Sequence, residues 1–363
     1  VVDGSACDIL ANPQSFDGKM VRVKGTVVAG FEEFAIKASG CNQGAIWLAY
    51  PIGTKAKAGA VAVVQLQLGR NNPASVANLN RPGVKLEKNK DFKQFDSLLS
   101  TPYKSGGMCL GCVLYTVTAT LVGRLDGTKD TGVTRDKDGK FVGVSGFGNL
   151  NRYNARLVLQ SVSDVTAQEI DYAKNAAAAK DDSQRESAGG NPVAAAHQIA
   201  RAFSPGSAAA NEVERGAAAY GKEGEDNGVE VGFGTPNEVP KNDSPKGDHN
   251  SPDGLLLNCT FDMDRLKGDA LTRAISHVGT HIADIRDPQS TAKSENPYEL
   301  EHHAWQTTVL SAMGSRQKTL TSPGGYLVWN SAWPEADRSK MVDDAISKFL
   351  ADWESLNSST ARQ

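Results

Sequence analysis

Between Met20 and Val28 apolar and polar positions alternate. Val21, Val23 and Val27 fall on one face, and Arg22, Lys24 and Thr26 on the other. This period of two predicts a half-buried strand, and Gly25 inside it predicts a bend or bulge. "EEFAIKA" (32–38) and "GAIWLAYP" (44–51) predict two further strands. The period then lengthens. "DFKQFDSLLS" (91–100) gathers Phe92, Phe95, Leu98 and Leu99 into one stripe, the pattern of an amphipathic helix. Alternation returns in residues 115–121. Tyr115, Val117, Ala119 and Leu121 face one way there, and Thr116, Thr118 and Thr120 the other. "YNARLVLQSVSDV" (153–165) closes the series, and "GAVAVVQLQLG" (59–69) is a strand-like run in front of the helix.

Three strands, a helix and two more strands, with a bent first strand, resemble the OB-fold, a five-stranded barrel with one helix. The likeness covers residues 18–166, and the run 59–69 is extra to it. "CDILANPQSFDGKMVRVKGTV", "AIWLAYP", "TVTATLVGRLDG" and "GFGNLNRYNARLVLQSVSDV" are also similar to a group of exported bacterial proteins of unassigned function. That resemblance implies an exported, periplasmic or extracellular OB-like domain and supplies no activity. The OB precedent places a ligand face for oligosaccharide or oligonucleotide on strands two and three, at Phe31, Phe34, Trp47 and Tyr50.

The chain divides into an OB-like domain (1–168), an Ala/Gly-rich connector with short helices (169–253) and a small α+β domain (254–363). In the connector "NPVAAAHQIARAF" predicts a helix capped by Asn191 with Pro192 at its first position. The rest is polar and without period. Such a stretch buries little apolar surface against an ordering entropy of about 1–2 kcal/mol per residue. If ordered, it needs contacts from elsewhere, and Val193, Ile199, Phe203, Val229, Val231 and Phe233 suit docking on a neighbouring molecule. In the last domain "LLLNCTFDM", "HHAWQTTVLSAM" and "GGYLVWNSAW" read as strands. "DRLKGDALTRAISHV" and the C-terminal "EADRSKMVDDAISKFLADWESL" read as helices.

No apolar run reaches the roughly 18 residues of a membrane span. The net charge of −3 creates no field that favours nucleic acid, but it is unevenly spread. Residues 1–168 hold 20 Lys+Arg against 13 Asp+Glu, a net +7, and the remainder carries −10. This asymmetry would favour head-to-tail contact between copies. The opening "VVDGSACDIL" is compatible with a mature end left by signal removal. The OB topology sets Cys7 and Cys41 at one end of the barrel and Cys109 and Cys112 at the other. That separation argues against one four-cysteine zinc cluster, whose ligands lie about 2.3 Å from a single ion. Redox use of Cys109-Leu-Gly-Cys112 is disfavoured because a strand follows it, not a helix that would lower a thiol pKa. The expectation is a Cys7–Cys41 disulfide and a small Cys109–Cys112 loop, both bonds of an oxidising compartment. Cys259 is left over.

"HVGTHIADIRD" spaces His277 and His281 four apart, with Asp284 and Asp287 beyond. On a helix the imidazoles share a face, as metal ligands do, but Gly279 weakens the helix and the Glu of the zinc-protease pattern is missing. "ELEHHAW" adds Glu301, His302 and His303, which complete a site only if the fold gathers them. The expectation is hydrogen-bonded or solvated histidines and no metal or other cofactor. Asp126, Asp130, Asp136 and Asp138 read as turn residues. Lys85, Lys88, Lys90 and Lys93 read as solvated, with Phe92 and Phe95 turned to the core. No nucleophile elbow, phosphate loop or dinucleotide fingerprint is present. The leading expectation is an exported, non-enzymatic structural or assembly protein, associating with itself or another exported protein, with no membrane span and no nucleic acid. The alternatives are a ligand-binding OB module and a metal-dependent enzyme built on the C-terminal histidines.

Overall fold

A computed structural model describes residues 1–37, 44–51, 54, 62, 64–68, 83–101, 113–138, 141–170, 192–222, 227–233, 255–262, 266, 268–287, 296–323 and 326–358. The short β1 (Val2–Asp3) and two small helices, α1 (Ala6–Ala11) and α2 (Pro13–Phe16), precede β2 (Met20–Ala29). The strands β3 (Phe34–Lys37) and β4 (Ala45–Ala49) follow. After β5 (Val64–Leu68) and α3 (Lys90–Leu99) come β6 (Tyr115–Gly127), the hairpin β7 (Gly132–Arg135) and β8 (Phe141–Ser145), and β9 (Ala155–Glu169).

Five of these strands close on themselves. β2 pairs antiparallel with β3 and β6, β3 with β4, and β6 with β9, while β4 meets β9 in parallel. The ring β2-β3-β4-β9-β6 is therefore a closed five-stranded barrel. Its interior holds the alternating residues of the sequence pattern, Val21, Val23, Val27, Val117, Ala119 and Leu121, all buried. The helix α3 lies against β6 and β9 and buries Phe92, Phe95 and Leu99. A Cβ added to Gly25 would collide with the Ile36 side chain on the adjoining β3, so the glycine makes room for the barrel wall.

The second half contains α4 (Pro192–Ala200), α5 (Ala208–Ala218), β10 (Val229–Phe233), β11 (Leu257–Phe261) and α6 (Asp269–Arg286). The helix α7 (Pro297–Gly314), the strands β12 (Thr319–Thr321) and β13 (Leu327–Asn330) and the helix α8 (Arg338–Ser358) complete it. The run "HHAWQTTVLSAM" lies in α7 and is not a strand. Asn296 caps α7 and Pro297 opens it. Its Leu300, Ala304, Trp305, Val309 and Ala312 are buried together with the polar Glu301, Thr307, Thr308 and Ser311, so polar residues on the buried face mask the helical period.

β5, the extra run of the N-terminal half, stays out of the barrel. It pairs antiparallel with β11, whose other edge takes β10 in parallel. On the far side of β5, the buried side chains of Asn149 and Asn151 accept from Leu66 N–H (2.6 Å) and Leu68 N–H (2.9 Å). Phe31, Leu66, Leu68, Val144 and Leu150 of the N-terminal half thus join the core built by the later helices and sheet.

The described parts of the connector need no neighbouring molecule to dock on. These parts, α4, α5 and β10, fold back on their own chain: α5 and α4 pack on α6, and Val193, Val229 and Val231 pack against the same core. Phe233 stays half exposed. Asp126 is no turn residue either. It lies inside β6, buried, and accepts from Arg124 and Arg156. Asp136 does serve a turn, accepting from Asp138 N–H at 2.9 Å in the loop between β7 and β8.

Candidate metal centre

The centre is built where the barrel meets α6 and α7. His277 and His281 stand one turn apart on α6, and Gly279 between them does not break the helix. A Cβ on Gly279 would collide with the Gly216 carbonyl of α5, so the glycine lets two helices approach closely. Glu301 reaches in from α7. Glu32 comes from the barrel, at the tip of the hairpin joining β2 to β3, where Gly30 N–H donates to the Glu33 carbonyl at 2.7 Å.

One ligand atom from each of these four residues lies within 4.8 Å of every other. The two imidazole Nε2 atoms are 3.2 Å apart. Glu32 Oε2 is 3.7 Å from His277 Nε2 and 3.8 Å from His281 Nε2. Glu301 lies 3.6 Å from His277 through Oε2 and 3.7 Å from His281 through Oε1. A tetrahedral ion with bonds of about 2.0–2.2 Å has ligand–ligand edges of about 3.3–3.6 Å, so the spacings that involve an imidazole, 3.2–3.8 Å, are close to those around a zinc-type cation.

The surroundings orient His277 and Glu301, whereas the buried Nδ1 of His281 has no hydrogen-bond partner among the described residues. Thr308 gives its own proton to the Ala304 carbonyl (2.7 Å), so its oxygen accepts from His277 Nδ1–H (3.0 Å). That fixes the tautomer and leaves the His277 Nε2 lone pair facing the centre. Arg152, which follows the barrel turn 149–151, donates to Glu301 Oε1. Phe31 meets His277 edge-on at 5.1 Å and Trp305 does so at 5.2 Å, walling the site with apolar rings.

Burial tends to lower the His277 pKa, but Glu32 and the hydrogen bonds of Glu301 and Glu32 push it up to about 9. Burial tends to raise the Glu32 pKa, yet His277 and His281 hold it well below the usual carboxylate range. For Glu301, burial and the charge of Glu32 act upward and are outweighed by Arg152 and the two histidines, leaving a lowered pKa. The pocket thus keeps two carboxylates ionised and favours a positive charge between the imidazoles. A shared proton satisfies that in part. A divalent cation satisfies all four groups.

No family model, curated protein or solved structure matches this chain. Its candidate site therefore stands on geometry alone.

Of the four histidines singled out by sequence, two reach the centre. His302 points to α8, 3.2 Å from Ser347 Oγ and 3.4 Å from Asp343. His303 bridges Asp284 (2.7 Å) and Glu212 (3.0 Å), tying α7 to α6 and α5. Both imidazoles of the centre are fully buried, so neither is solvated. The four aromatics proposed as a ligand face are 4% (Phe31), 1% (Phe34), 5% (Trp47) and 3% (Tyr50) exposed. Phe34 packs on Tyr50 and Trp47 on Tyr153 inside the protein, so they form core and not an open platform. Cys7 is half of a disulfide. Cys41, Cys109 and Cys112 lie outside the described residues, and Cys259 is a buried free thiol whose pKa burial raises. Glu32, Arg152 and Thr308 carried no sequence signal of a site.

Proposed function

We propose that this chain is a metal-binding structural protein in which a divalent, zinc-type cation pins the barrel to the helical half. The observation that carries this reading is the convergence of Glu32, His277, His281 and Glu301 within 4.8 Å from three separate segments. Sites with four protein ligands are typically structural, whereas catalytic zinc keeps a position open for water. Val278 adds to the argument, because it is apolar and buried where zinc proteases carry the Glu that acts as base. The ring order, with β4 and β9 parallel and β2 and β6 antiparallel, supports an OB-like barrel. The disulfide at Cys7 supports export to an oxidising compartment. No described helix is long and apolar enough to cross a membrane. Self-association now rests on the charge asymmetry alone, since the described connector segments pack on their own chain.

Elemental analysis of protein purified without chelator tests the reading. One equivalent of metal is expected, lost in His281→Ala and Glu301→Ala, and chelation should lower the thermal midpoint. Metal-free protein that melts identically with and without added zinc overturns it. One observation favours a second reading. Two histidines one turn apart with a Glu on the next helix also form the ligand set of hydrolytic zinc enzymes. Zinc-dependent cleavage of peptide or ester substrates by the purified chain would place that reading first.

A further inference from the structure

We infer that Glu32 plugs the fourth coordination position of the metal centre, and that the plug imitates an external ligand, a carboxylate attached to an aromatic group. The inference rests on the metal reading above. Three of the four ligands belong to two packed helices: His277 and His281 on α6 and Glu301 on α7. Both oxygens of Glu301 are engaged, Oε1 by Arg152 and His281 and Oε2 by His277. Glu32 is held differently. It approaches the centre with Oε2, and its buried Oε1 has no hydrogen-bond partner. A ligand on a hairpin tip with one idle oxygen is the one most easily exchanged.

The tip is unusual for its place. Phe31 and Glu32 occupy the two positions between Gly30 and Glu33 at the hairpin tip, yet Phe31 is buried and the Glu32 side chain is 11% exposed. Connecting tips normally lie on the surface, so this one is turned inward for what its side chains touch. Here both leave the barrel. Phe31 packs against both His277 and Trp305, with ring centroids 5.1 and 6.2 Å away, and Glu32 reaches the ligand cluster. Together they present an aromatic ring beside a carboxylate. Withdrawal of the tip leaves a three-ligand His/His/Glu centre with an open position, an apolar recess against Trp305, and the Arg152 charge that already attracts Glu32. A free aryl-alkyl carboxylate matches all three features with the same donor atom and the same charge.

The experiment uses the full chain loaded with cobalt(II), whose visible spectrum reports coordination. Wild-type protein should bind one equivalent, and its spectrum should not respond to acetate or 3-phenylpropanoate. Glu32→Ala and the shape-conserving Glu32→Gln should still bind cobalt, and added acetate should shift their spectra. In the double variant Phe31→Ala/Glu32→Ala, 3-phenylpropanoate should bind at least tenfold more tightly than acetate. Should the double variant fail to fold, the same preference is read in Glu32→Ala as a weaker effect, with acetate binding as the deciding result. The inference is overturned if both Glu32 variants lose cobalt, or if they keep it and no carboxylate changes the spectrum. Wild-type protein that binds no cobalt refutes the metal reading itself, which separates the two failures.

Discussion

The Nε2 atoms of His277 and His281 lie 3.2 Å apart, and the other nitrogen of His277 is committed to Thr308 Oγ1 at 3.0 Å. The hydroxyl is itself fixed by its bond to the Ala304 carbonyl. Orientation of the first imidazole is therefore written into α7, not α6. Thr308→Val keeps the shape and removes the acceptor. It should weaken metal affinity by about 10–100-fold while far-UV circular dichroism stays unchanged. Competition against a chromophoric chelator measures this, and an unaltered affinity would mean that the hydroxyl does not set the tautomer.

Much of the barrel was legible because its strands have one wet and one dry face, so Val21, Val23 and Val27 stand out against Arg22, Lys24 and Thr26. The helix α7 was not, because its buried face carries the polar Glu301, Thr307, Thr308 and Ser311 while the apolar Leu310 and Met313 lie on the half-buried side. His-x3-His and Glu301 were visible as residue types. The choice of Glu301 over His302 and His303 was not, since successive helix residues turn by about 100° and face different partners. Glu32 and Arg152 become neighbours of the centre only through tertiary folding, so no local spacing could reveal them.

Gly25 offers a test of the barrel. Its absent side chain accommodates Ile36 of β3. Gly25→Val should destabilise the protein by roughly 1–3 kcal/mol through overpacking, whereas Gly143→Ala, where a Cβ meets nothing within 4 Å, should change stability by less than about 0.5 kcal/mol. Urea unfolding of the two variants decides. Equal midpoints would argue that β2 and β3 are not packed as closely as their register requires.

The network beside the centre makes stability depend on pH. Burial tends to raise the Asp284 pKa, but hydrogen bonds from His303 and Arg215 leave it below its ordinary value. For Glu212 the bond from His303 leads, and its pKa is likewise lowered. Depressed folded pKa values mean stability that is fully present above the unfolded values, about 3.9 and 4.3, and is lost as pH falls through the folded ones. In chelated protein, Asp284→Asn should therefore be less stable than wild type near neutrality, and the gap should close below about pH 4. Chemical denaturation across pH 3–7 checks it. A gap that widens toward acid would reverse the assigned sign.

The turn 149–151 holds the seam between barrel and sheet. Asn149 is buried, and its Oδ1 accepts the Leu66 amide of β5 at 2.6 Å. The turn that holds it is strained: Leu150 and Asn151 both sit at positive φ, 54° and 53°, a region that non-glycine residues rarely enter. Strain of this kind persists only when surrounding contacts impose it. The contacts here are the two asparagine caps on β5 and the Arg152–Glu301 pair at the candidate metal centre. Asn149→Ala leaves a buried N–H without its acceptor, at a cost of about 1–3 kcal/mol. The same change should loosen Arg152 and so Glu301. Metal affinity and global stability should then fall together in Asn149→Ala, although residue 149 touches no ligand. Loss of stability with unchanged metal affinity would show that the turn supports β5 alone and that the seam and the centre are independent.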